Sequence, residues 1–429
     1  MTMQRKPIPR LPVFGWSAFR GGPSSVRSML ELPGMHYTTS GRAAILLALE
    51  ALGVGPGDQV LLPSYHCPTM VAPVTQLGAT PVFYPIDEKG TPLIPWLVAH
   101  APHNARVLLA AHYFGLPQPM GMIRAWCDQQ GVALIEDCAH ALFGMAGERP
   151  TGTWGDVSIG SLTKFLPVPE GGCLVMNRPV AIPALRQAST GDHLRAVIDV
   201  LETGATQGQL LGLNTLVLQG LGLMRRLRGT APTAAPVAAF APDTPVAPNA
   251  DAQRPLGVAS GNELLIDATL AHRALAWPCH WLADALPRGR IAAQRRSHYQ
   301  HLLKALSGHI GLRPLLPQLP EQAAPYVFPL WVDLPDPGYA ELRRVGMPVF
   351  RWDRLWPGMP LLPLDHGRGW SHHVIQLACH QDLSDSDMGR FVRQLLRVYA
   401  GAPESQGSSA AAADHGTSDC RQRLSHSPN

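Results

Sequence analysis

The sequence predicts an α/β protein in which helices cover both faces of a mostly parallel sheet, with a smaller α+β domain towards the C-terminal end. Between about residues 38 and 176, short apolar runs alternate with helical patterns, and such alternation implies crossover connections between parallel strands. Beyond residue 324, an apolar strand at 326–332 and a helix at 385–399 indicate the second, smaller unit. The chain has 429 residues, of which 46% are hydrophobic, so it is long enough for two or three domains with buried cores.

Start and stop signals place the elements of the larger unit. The first helix is predicted to begin after Ser40, a typical N-cap residue, and to end at Gly53. Further helices are predicted at 69–77 and 120–130. The buried strands are predicted from short apolar runs at residues 59–63, 81–84, 107–111 and 132–135.

Changes in composition divide the chain into four parts. Residues 1–228 form the large, ligand-binding domain, and 229–257 are an Ala/Pro-rich linker or insertion. Connecting helices and the small C-terminal domain occupy 258–401. The last part, 402–429, is rich in Ser, Ala and Gly and low in apolar residues, so we predict a disordered tail.

Charge and composition argue against several classes of protein. The formal net charge is only +4, from 35 basic and 31 acidic residues, and no dense basic face of the kind that binds nucleic acid is visible. The seven cysteines are scattered without C-x-x-C spacing, which argues against a disulfide framework and a structural zinc site. His372, His373 and His380 have no acidic or thiol partner at suitable spacing, so no metal site is expected.

The chain also shows no signal for export or membrane insertion. Residues 1–10 carry Arg and Pro and no apolar core of signal-peptide length. The most apolar long stretch, 210–224, is interrupted by polar residues and is too short to cross a bilayer. We therefore expect a cytoplasmic protein with no membrane and no nucleic-acid partner.

Polar and aromatic residues follow three of the predicted strands, at 64–67, 112–115 and 136–140. In parallel sheets, ligands bind in the crevice beyond the carboxyl ends of the strands, so these segments are the first candidates for a site. His112 is equally compatible with lining such a site and with a structural role at the sheet edge.

Lys164 is the strongest candidate for chemistry. The chain contains only four lysines against 31 arginines, and Lys164 stands between an apolar strand and a Gly/Pro-rich turn, which is an unusual place for a solvated charge. A lysine of lowered pKa forms an imine with an aldehyde cofactor, whereas arginine does not. Asp137, after the fourth strand, is by itself most simply a helix cap or turn residue. Together with Lys164 it suggests pyridoxal phosphate, whose pyridine nitrogen requires an acid.

A phosphate site is expected at the start of the first helix. Ser40 and Gly41 precede free backbone N–H groups, which together with the helix dipole attract an anion, and glycine allows close approach of the backbone. The hydroxyl of Ser161, three residues before Lys164, is an additional candidate ligand.

Residues 37–176 resemble the large domain of the DegT-like sugar aminotransferases, which are pyridoxal-phosphate enzymes of the aspartate aminotransferase fold, fold type I. The motifs occur in the order of that family and at nearly its spacing. More weakly, residues 379–393 resemble the closing segment of the family. The motifs that carry the resemblance are Ser40-Gly41-Arg42-Ala43-Ala44, the segments 53–60 and 77–83, Ile135-Glu136-Asp137-Cys138-Ala139-His140, and Lys164 with Glu170-Gly171-Gly172.

The resemblance implies a set of roles for these residues. Lys164 holds the cofactor covalently and acts as general base and acid, and Asp137 pairs with the pyridine nitrogen. His140 stands where the family commonly has Gln, beside the cofactor. The phosphate contacts are implied to come from Gly41, Arg42 and Ala43.

Two positions depart from the family pattern. The family usually places an aromatic residue over the cofactor ring where this chain has Cys67, and Tyr65 and His66 are alternatives for stacking, so all three stay open. The turn before Lys164 is about two residues shorter than in the family, and we prefer Ser161 to Ser158 as the phosphate ligand.

The implied function is a PLP-dependent aminotransferase that moves an amino group from a donor such as glutamate to a nucleotide-linked keto sugar, in polysaccharide or secondary-metabolite biosynthesis. The resemblance also implies a homodimer with its sites at the interface, and Asn262 is a candidate for the contact from the partner subunit. Alternatives are a PLP enzyme of another reaction type, a dehydratase or lyase, and a non-catalytic member that binds PLP or a sugar. For Trp352 and Trp356 we expect core packing rather than substrate contact.

Overall fold

The computed structural model describes residues 7–227 and 256–400. The predicted linker at 229–257, except for its last two residues, and the predicted tail at 402–429 lie outside this part, and the proposed four-part division of the chain remains a prediction. In the described residues, no helix is both long and apolar enough to cross a membrane.

Twelve α-helices are present in the described residues, and the predicted helices of the larger unit are among them. The helices α5 and α6 occupy a stretch for which no element is predicted from the sequence. The helices are α1 (Gly41–Ala51), α2 (Pro68–Gln76), α3 (Ile94–His100), α4 (Gly121–Gln130), α5 (Thr190–Thr206), α6 (Asn214–Leu227), α7 (Ala268–Ala271), α8 (Trp277–Ala285), α9 (Arg288–Leu306), α10 (Gly338–Arg344), α11 (Gly367–His373) and α12 (Asp385–Tyr399).

The strands include each apolar run that was predicted as a strand. They are β1 (Met35–Thr38), β2 (Gln59–Pro63), β3 (Thr80–Tyr84), β4 (Ala105–Ala111), β5 (Ala133–Asp137), β6 (Met145–Ala146), β7 (Arg149–Pro150), β8 (Val157–Ser161), β9 (Gly172–Met176), β10 (Gly257–Val258), β11 (Leu312–Pro314), β12 (Val327–Val332), β13 (Val349–Phe350), β14 (Arg354–Leu355) and β15 (Val374–Ala378).

The large sheet has seven strands in the order β1-β9-β8-β5-β4-β2-β3. The neighbours from β3 to β8 pair in parallel, whereas β9 is antiparallel to both β8 and β1. Ala111 on β4 and Ile159 on β8 are both in register with Asp137 on β5, so these three strands end at the same edge. That edge is the one where the sequence predicts the site.

The start of α1 is fixed by its sequence. Ser40 has an extended backbone, and its Oγ accepts a hydrogen bond of 3.1 Å from the N–H of Ala43, which caps the helix. The following helix is almost wholly buried from Ala43 to Leu49, because it lies against β8 and β9 of the sheet. The predicted N-cap is therefore the observed one.

A second sheet, β11-β12-β15-β13, is antiparallel throughout and belongs to the C-terminal part of the chain. Its core is formed with α9, α10 and α12, through residues such as Tyr299, Phe328 and Phe391. A mostly parallel sheet with helices, followed by a smaller unit of this kind, confirms the predicted fold class.

The two sheets are joined directly at the edge where the large sheet ends. The N–H of Tyr326, just before β12, donates to the carbonyl oxygen of Phe114 at 2.8 Å. Gly115 makes this approach feasible, since a Cβ at this position would lie 2.1 Å from the Tyr326 nitrogen and its φ is +87°. Tyr326 is thereby held at the edge where the strands of the large sheet end.

Candidate active site

A cavity of about 610 Å³ lies at the carboxyl ends of the large-sheet strands and is closed on its other side by the small sheet. The large-sheet wall comes from the start of α1 and the ends of β4, β5 and β8. The predicted site residues that line the cavity are Gly41, Arg42, Ala43, Asp137, His140, Ser161 and Lys164, and His112 and Cys67 line it as well.

Lys164 follows β8 at the end of a single 3₁₀ turn, Leu162–Lys164. Its Nζ lies 5.4 Å from the centre of the Tyr326 ring, on the small-sheet wall. Burial lowers the pKa of Lys164, and the carboxylate of Asp137 opposes that shift. A lysine with a lowered pKa is a neutral nucleophile for a larger fraction of the time near neutral pH.

Asp137 is the last residue of β5 and is only 4% exposed. Its Oδ1 accepts a hydrogen bond of 2.8 Å from the N–H of Ala139. Burial raises the pKa of Asp137, and the charge of Lys164 and the Ala139 N–H act against that rise. The cavity thus has an acid and an amine whose ionisation is coupled.

The start of α1 lies next to the strand that leads to Lys164. A Cβ placed on Gly41 would be 3.3 Å from the Cβ of Ser161 and 3.8 Å from its Oγ, so the helix N-terminus and this hydroxyl face the same space. Ser158 lies elsewhere, because its Oγ donates to Oε2 of Glu136 at 3.1 Å. Of the two serines considered from the sequence, Ser161 is the one beside the helix N-terminus, where backbone N–H groups bind anions.

His140 connects the large-sheet edge to the aromatic wall opposite. Its Nδ1 accepts a 3.3 Å hydrogen bond from the Phe114 N–H, so a neutral ring carries its hydrogen on Nε2. Its ring lies 4.6 Å from that of Tyr326 and 5.0 Å from that of Trp352, centre to centre. Burial and the nearby Lys164 hold the pKa of His140 well below its usual value, so the neutral form is favoured and its Nε2–H is a hydrogen-bond donor.

Glu136, the neighbour of Asp137, is fully buried and anchors the loop behind the site. Its Oε1 accepts from Nε2 of His112 at 3.0 Å and from the N–H of Gly152 at 2.9 Å. Its Oε2 accepts from the N–H groups of Trp154 and Gly155, at 2.8 and 3.2 Å, and from the Ser158 hydroxyl. Burial alone would raise the pKa of Glu136, but the hydrogen bonds, above all the one from His112, lower it.

The tautomer of His112 follows from its partners. Its Nδ1 accepts from the N–H of Gln118 at 3.0 Å, so Nε2 carries the hydrogen that it donates to Glu136. His112, Glu136 and Cys138 place three atoms capable of binding metal within 4.8 Å of one another. Both carboxylate oxygens of Glu136 are already occupied by donors, which identifies the group as a hydrogen-bonded anchor.

The structure does not bring Tyr65 and His66 to the cavity, in contrast to the sequence interpretation. The ring of Tyr65 is fully buried among aromatic side chains and lies 4.9 Å from that of Trp352. His66 stacks on Phe83, and its Nδ1 bonds the carbonyl oxygens of Pro63, the last residue of β2, and of Ser64. Cys67, the N-cap residue of α2, is the one of the three that lines the cavity.

Pyridoxal phosphate fits the residues of this cavity. The cavity holds a buried amine of lowered pKa and a buried carboxyl group, as an aldehyde and a pyridine nitrogen require. The helix start at Gly41, with the Ser161 hydroxyl beside it, provides donors for a phosphate group. The cavity volume of about 610 Å³ leaves space for a substrate as well.

Comparison with known proteins supports the same class. Residues 35–192 match the model of the DegT/DnrJ/EryC1/StrS aminotransferase family, which confirms the predicted resemblance over this segment. The GDP-perosamine synthase of Vibrio cholerae is 33% identical over 152 residues, 34% of this chain and 41% of that protein. The UDP-N-acetyl-3-dehydro-alpha-D-glucosamine 3-aminotransferase of Acidithiobacillus ferrooxidans is 34% identical over 119 residues, 28% of this chain and 32% of that protein. The chain thus spans less than half the length of these curated relatives.

Solved structures extend the likeness to most of the chain. The aminotransferase TlmJ from Streptoalloteichus hindustanus has a TM-score of 0.56 at 21% identity, covering 86% of each chain. PseC of Helicobacter pylori, an aminotransferase involved in the biosynthesis of pseudoaminic acid, has a TM-score of 0.59 at 12% identity, covering 92% of this chain and 100% of that one. At these identities the likeness shows the fold, and the predicted fold is confirmed.

Several cavity residues were missed by reasoning from the sequence. Tyr326, Gln376 and Arg351 come from the small sheet and its loops, far along the chain from the motifs. Trp352 and Trp356 pack against the large hydrophobic core, as expected, and Trp352 lines the cavity as well. Arg10 reaches the cavity from the N-terminal segment and lies 4.0 Å above the ring of Phe350. In the sequence, these cavity residues are marked only by being aromatic, polar or charged, and this does not reveal which residue lies across the cavity.

Proposed function

We propose that this protein is a pyridoxal-phosphate-dependent aminotransferase that transfers an amino group from an amino acid such as glutamate to a nucleotide-linked keto sugar. The observation that carries the proposal is the convergence of Lys164, Asp137 and the N-terminus of α1 on one cavity. The family match over residues 35–192 and the names of the curated relatives support the reaction and the acceptor class.

Each group in the cavity has a distinct task in this reaction. When bound, pyridoxal phosphate supplies an aldehyde and an electron-withdrawing ring. Lys164 would hold it covalently and would move a proton between carbon atoms, which requires an amine with a pKa near the operating pH. Asp137 keeps the ring nitrogen protonated, and the start of α1 with Ser161 holds the phosphate.

The opposite wall fits the proposed substrates. Arg10, Arg343, Arg351 and Arg354 line this side of the cavity, and guanidinium groups suit a carboxylate donor and a phosphorylated acceptor. Arg351 and Arg354 also pair with acids that line the cavity, Asp353 and Glu263. In the described residues the buried Oε1 of Gln376 has no hydrogen-bond partner, and an acceptor at this wall suits a sugar hydroxyl.

Spectroscopy and labelling of Lys164 test the cofactor assignment. The purified protein should show the absorbance of covalently bound cofactor, and borohydride should fix the cofactor on the peptide that contains Lys164. Lys164→Ala should lose both signals, whereas Lys304→Ala, on the exposed side of α9, should keep them. Unaltered cofactor attachment in Lys164→Ala would contradict the proposal.

Reaction with glutamate separates the alternatives. An aminotransferase converts the bound aldehyde to the amine form and releases 2-oxoglutarate, which a non-catalytic binding protein does not do. A panel of keto sugars followed by product analysis then distinguishes amino transfer from dehydration or another carbon-centred reaction.

We also propose a cytoplasmic homodimer with its sites near the interface. The side chains of Trp277 and Trp281 on α8 are 61% and 47% exposed, which is unusual for tryptophan and suits a covered surface. Asn262, the candidate for the contact from the partner subunit, is exposed next to Glu263, which lines the cavity. The six described cysteines are free, as suits a reducing compartment. The mass of the purified protein in solution tests the dimer.

A further inference from the structure

We propose that Arg295, on α9, is a positioning residue that fixes the backbone of Lys164 relative to the small-sheet wall of the cavity. The proposal rests on the proposed function and extends it to a residue that does not line the cavity. It is carried by the hydrogen bonds of a single buried guanidinium group.

The Arg295 guanidinium bonds the lysine loop directly. Its side chain is completely buried, and its Nη2 donates to the carbonyl oxygen of Lys164 at 2.7 Å. Its Cζ lies 4.5 Å above the centre of the Phe165 ring, the next residue of the loop. Its Nε donates at 2.8 Å to Gln381, whose own Nε2 donates at 2.8 Å to the Phe165 carbonyl oxygen. Two consecutive carbonyl groups of the loop are therefore held, the first by Arg295 directly and the second through Gln381.

The same group bonds the opposite wall. Nη1 of Arg295 donates to the carbonyl oxygens of Pro325 and Tyr326, at 3.0 and 3.2 Å. The side chains of Lys164 and Tyr326 face each other across the cavity, with Nζ 5.4 Å from the ring centre. One guanidinium thus bonds the backbones of both, and it sets the distance between the reactive amine and the aromatic wall.

The charge of Arg295 is unusual for its position. The oxygen atoms that it bonds belong to carbonyl and amide groups, so no carboxylate bonds it within the described part of the chain. Burial lowers the pKa of Arg295 to about 10, which still leaves the group charged near neutral pH. The planar fork of N–H groups orders four acceptors at this place, which is a geometric task.

Two substitutions of the full-length protein separate geometry from charge. Arg295→Gln removes the charge and most of the donors, and Arg295→Lys keeps the charge but not the fork. We expect both to weaken cofactor binding by about 10- to 100-fold, as the loss of a hydrogen-bonding partner behind a ligating group commonly does. In protein freed of cofactor, both variants should also raise the pH midpoint of Lys164 acetylation by acetic anhydride, followed by mass spectrometry against Lys304 in the same molecule. The reason is that the burial that lowers the pKa of Lys164 depends on the position of its loop.

Arg290→Gln is the matched control. Arg290 is on the same helix and bonds the Asp382 carboxylate at 2.8 Å and the Gln381 carbonyl oxygen at 3.2 Å, but among the described residues no hydrogen bond joins it to the lysine loop. It should lower the melting temperature without changing cofactor affinity or the acetylation midpoint. If the Arg295 variants behave like Arg290→Gln in both measurements, Arg295 is only a structural residue and the proposal is wrong.

A second variant covers misfolding of Arg295→Gln. Gln381→Leu keeps the guanidinium but breaks its connection to the Phe165 carbonyl, and it should weaken cofactor binding in the same range. Wild-type affinity in this variant and in Arg295→Lys would overturn the proposal. Acetylation of Lys164 needs no cofactor, so a chain that binds no pyridoxal phosphate refutes the proposed function while the midpoint still tests Arg295.

Discussion

Replacing Glu136 with glutamine should destabilise the fold strongly, although the two side chains have nearly the same shape. The carboxylate accepts two hydrogen bonds at Oε1 and three at Oε2. Whichever oxygen becomes an NH₂ group, two N–H donors lose their acceptor: those of His112 and Gly152, or those of Trp154 and Gly155. Each buried, unsatisfied donor costs ~1–3 kcal/mol, so the free energy of unfolding should fall by about 2–6 kcal/mol.

The pH dependence provides a second, independent check. The pKa of Glu136 is lowered in the folded protein, so the stability from its carboxylate is present above the unfolded pKa and is lost as the pH falls through the folded value. The difference between wild type and Glu136→Gln should therefore be largest near neutral pH and shrink in acid. Urea unfolding at several pH values measures it, with Glu341→Gln, which breaks an exposed pair with Arg344, as a control that should leave the midpoint unchanged. A loss below ~1 kcal/mol, or one that does not depend on pH, would refute the reasoning.

Two further predictions concern the junction of the sheets and the acid stability. Gly115→Ala should destabilise the protein far more than Gly131→Ala, since both have positive φ, which costs roughly 1–2 kcal/mol, but only a Cβ at Gly115 would meet a backbone nitrogen at 2.1 Å. Equal decreases in melting temperature for the two variants would contradict the close approach of Gly115 to Tyr326. Burial lowers the pKa of His380 to about 3, so its neutral form stabilises the fold above pH 6.5 and this stability is lost by about 1.4 kcal/mol per pH unit on acidification. His380→Gln should flatten the fall in unfolding free energy between pH 6.5 and 4.5, and an unchanged slope would show that the ring is not the titrating group.

The larger unit was predictable because its signals are local. The cap at Ser40, the apolar runs and the polar residues after them determine α1, the parallel strands and the edge at which Lys164 and Asp137 meet. The small-sheet wall was not predictable, because Tyr326 and Trp352 reach the cavity only through tertiary contacts such as the bond to Phe114. Tyr65, after β2, was placed at the site by the sequence interpretation, and the structure does not bring it to the cavity. The reason is similar: nothing in the local sequence distinguishes a tyrosine that faces the cavity from one buried among other aromatic rings.

Glu136 and Asp137 show how one strand supplies both a structural and a chemical acid. Successive side chains of a strand point to opposite faces, so the two carboxyl groups enter different environments although they are adjacent in sequence. Glu136 accepts hydrogen bonds from the loop at 152–155 and has a lowered pKa, whereas Asp137 faces the cavity, accepts from Ala139 and has a raised pKa. Two carboxyl groups whose environments move their pKa values apart are a common way to separate a fixed charge from a group that responds to a ligand. Glu136 holds the loop that leads to β8, and it therefore supports the strand that places Lys164 near Asp137.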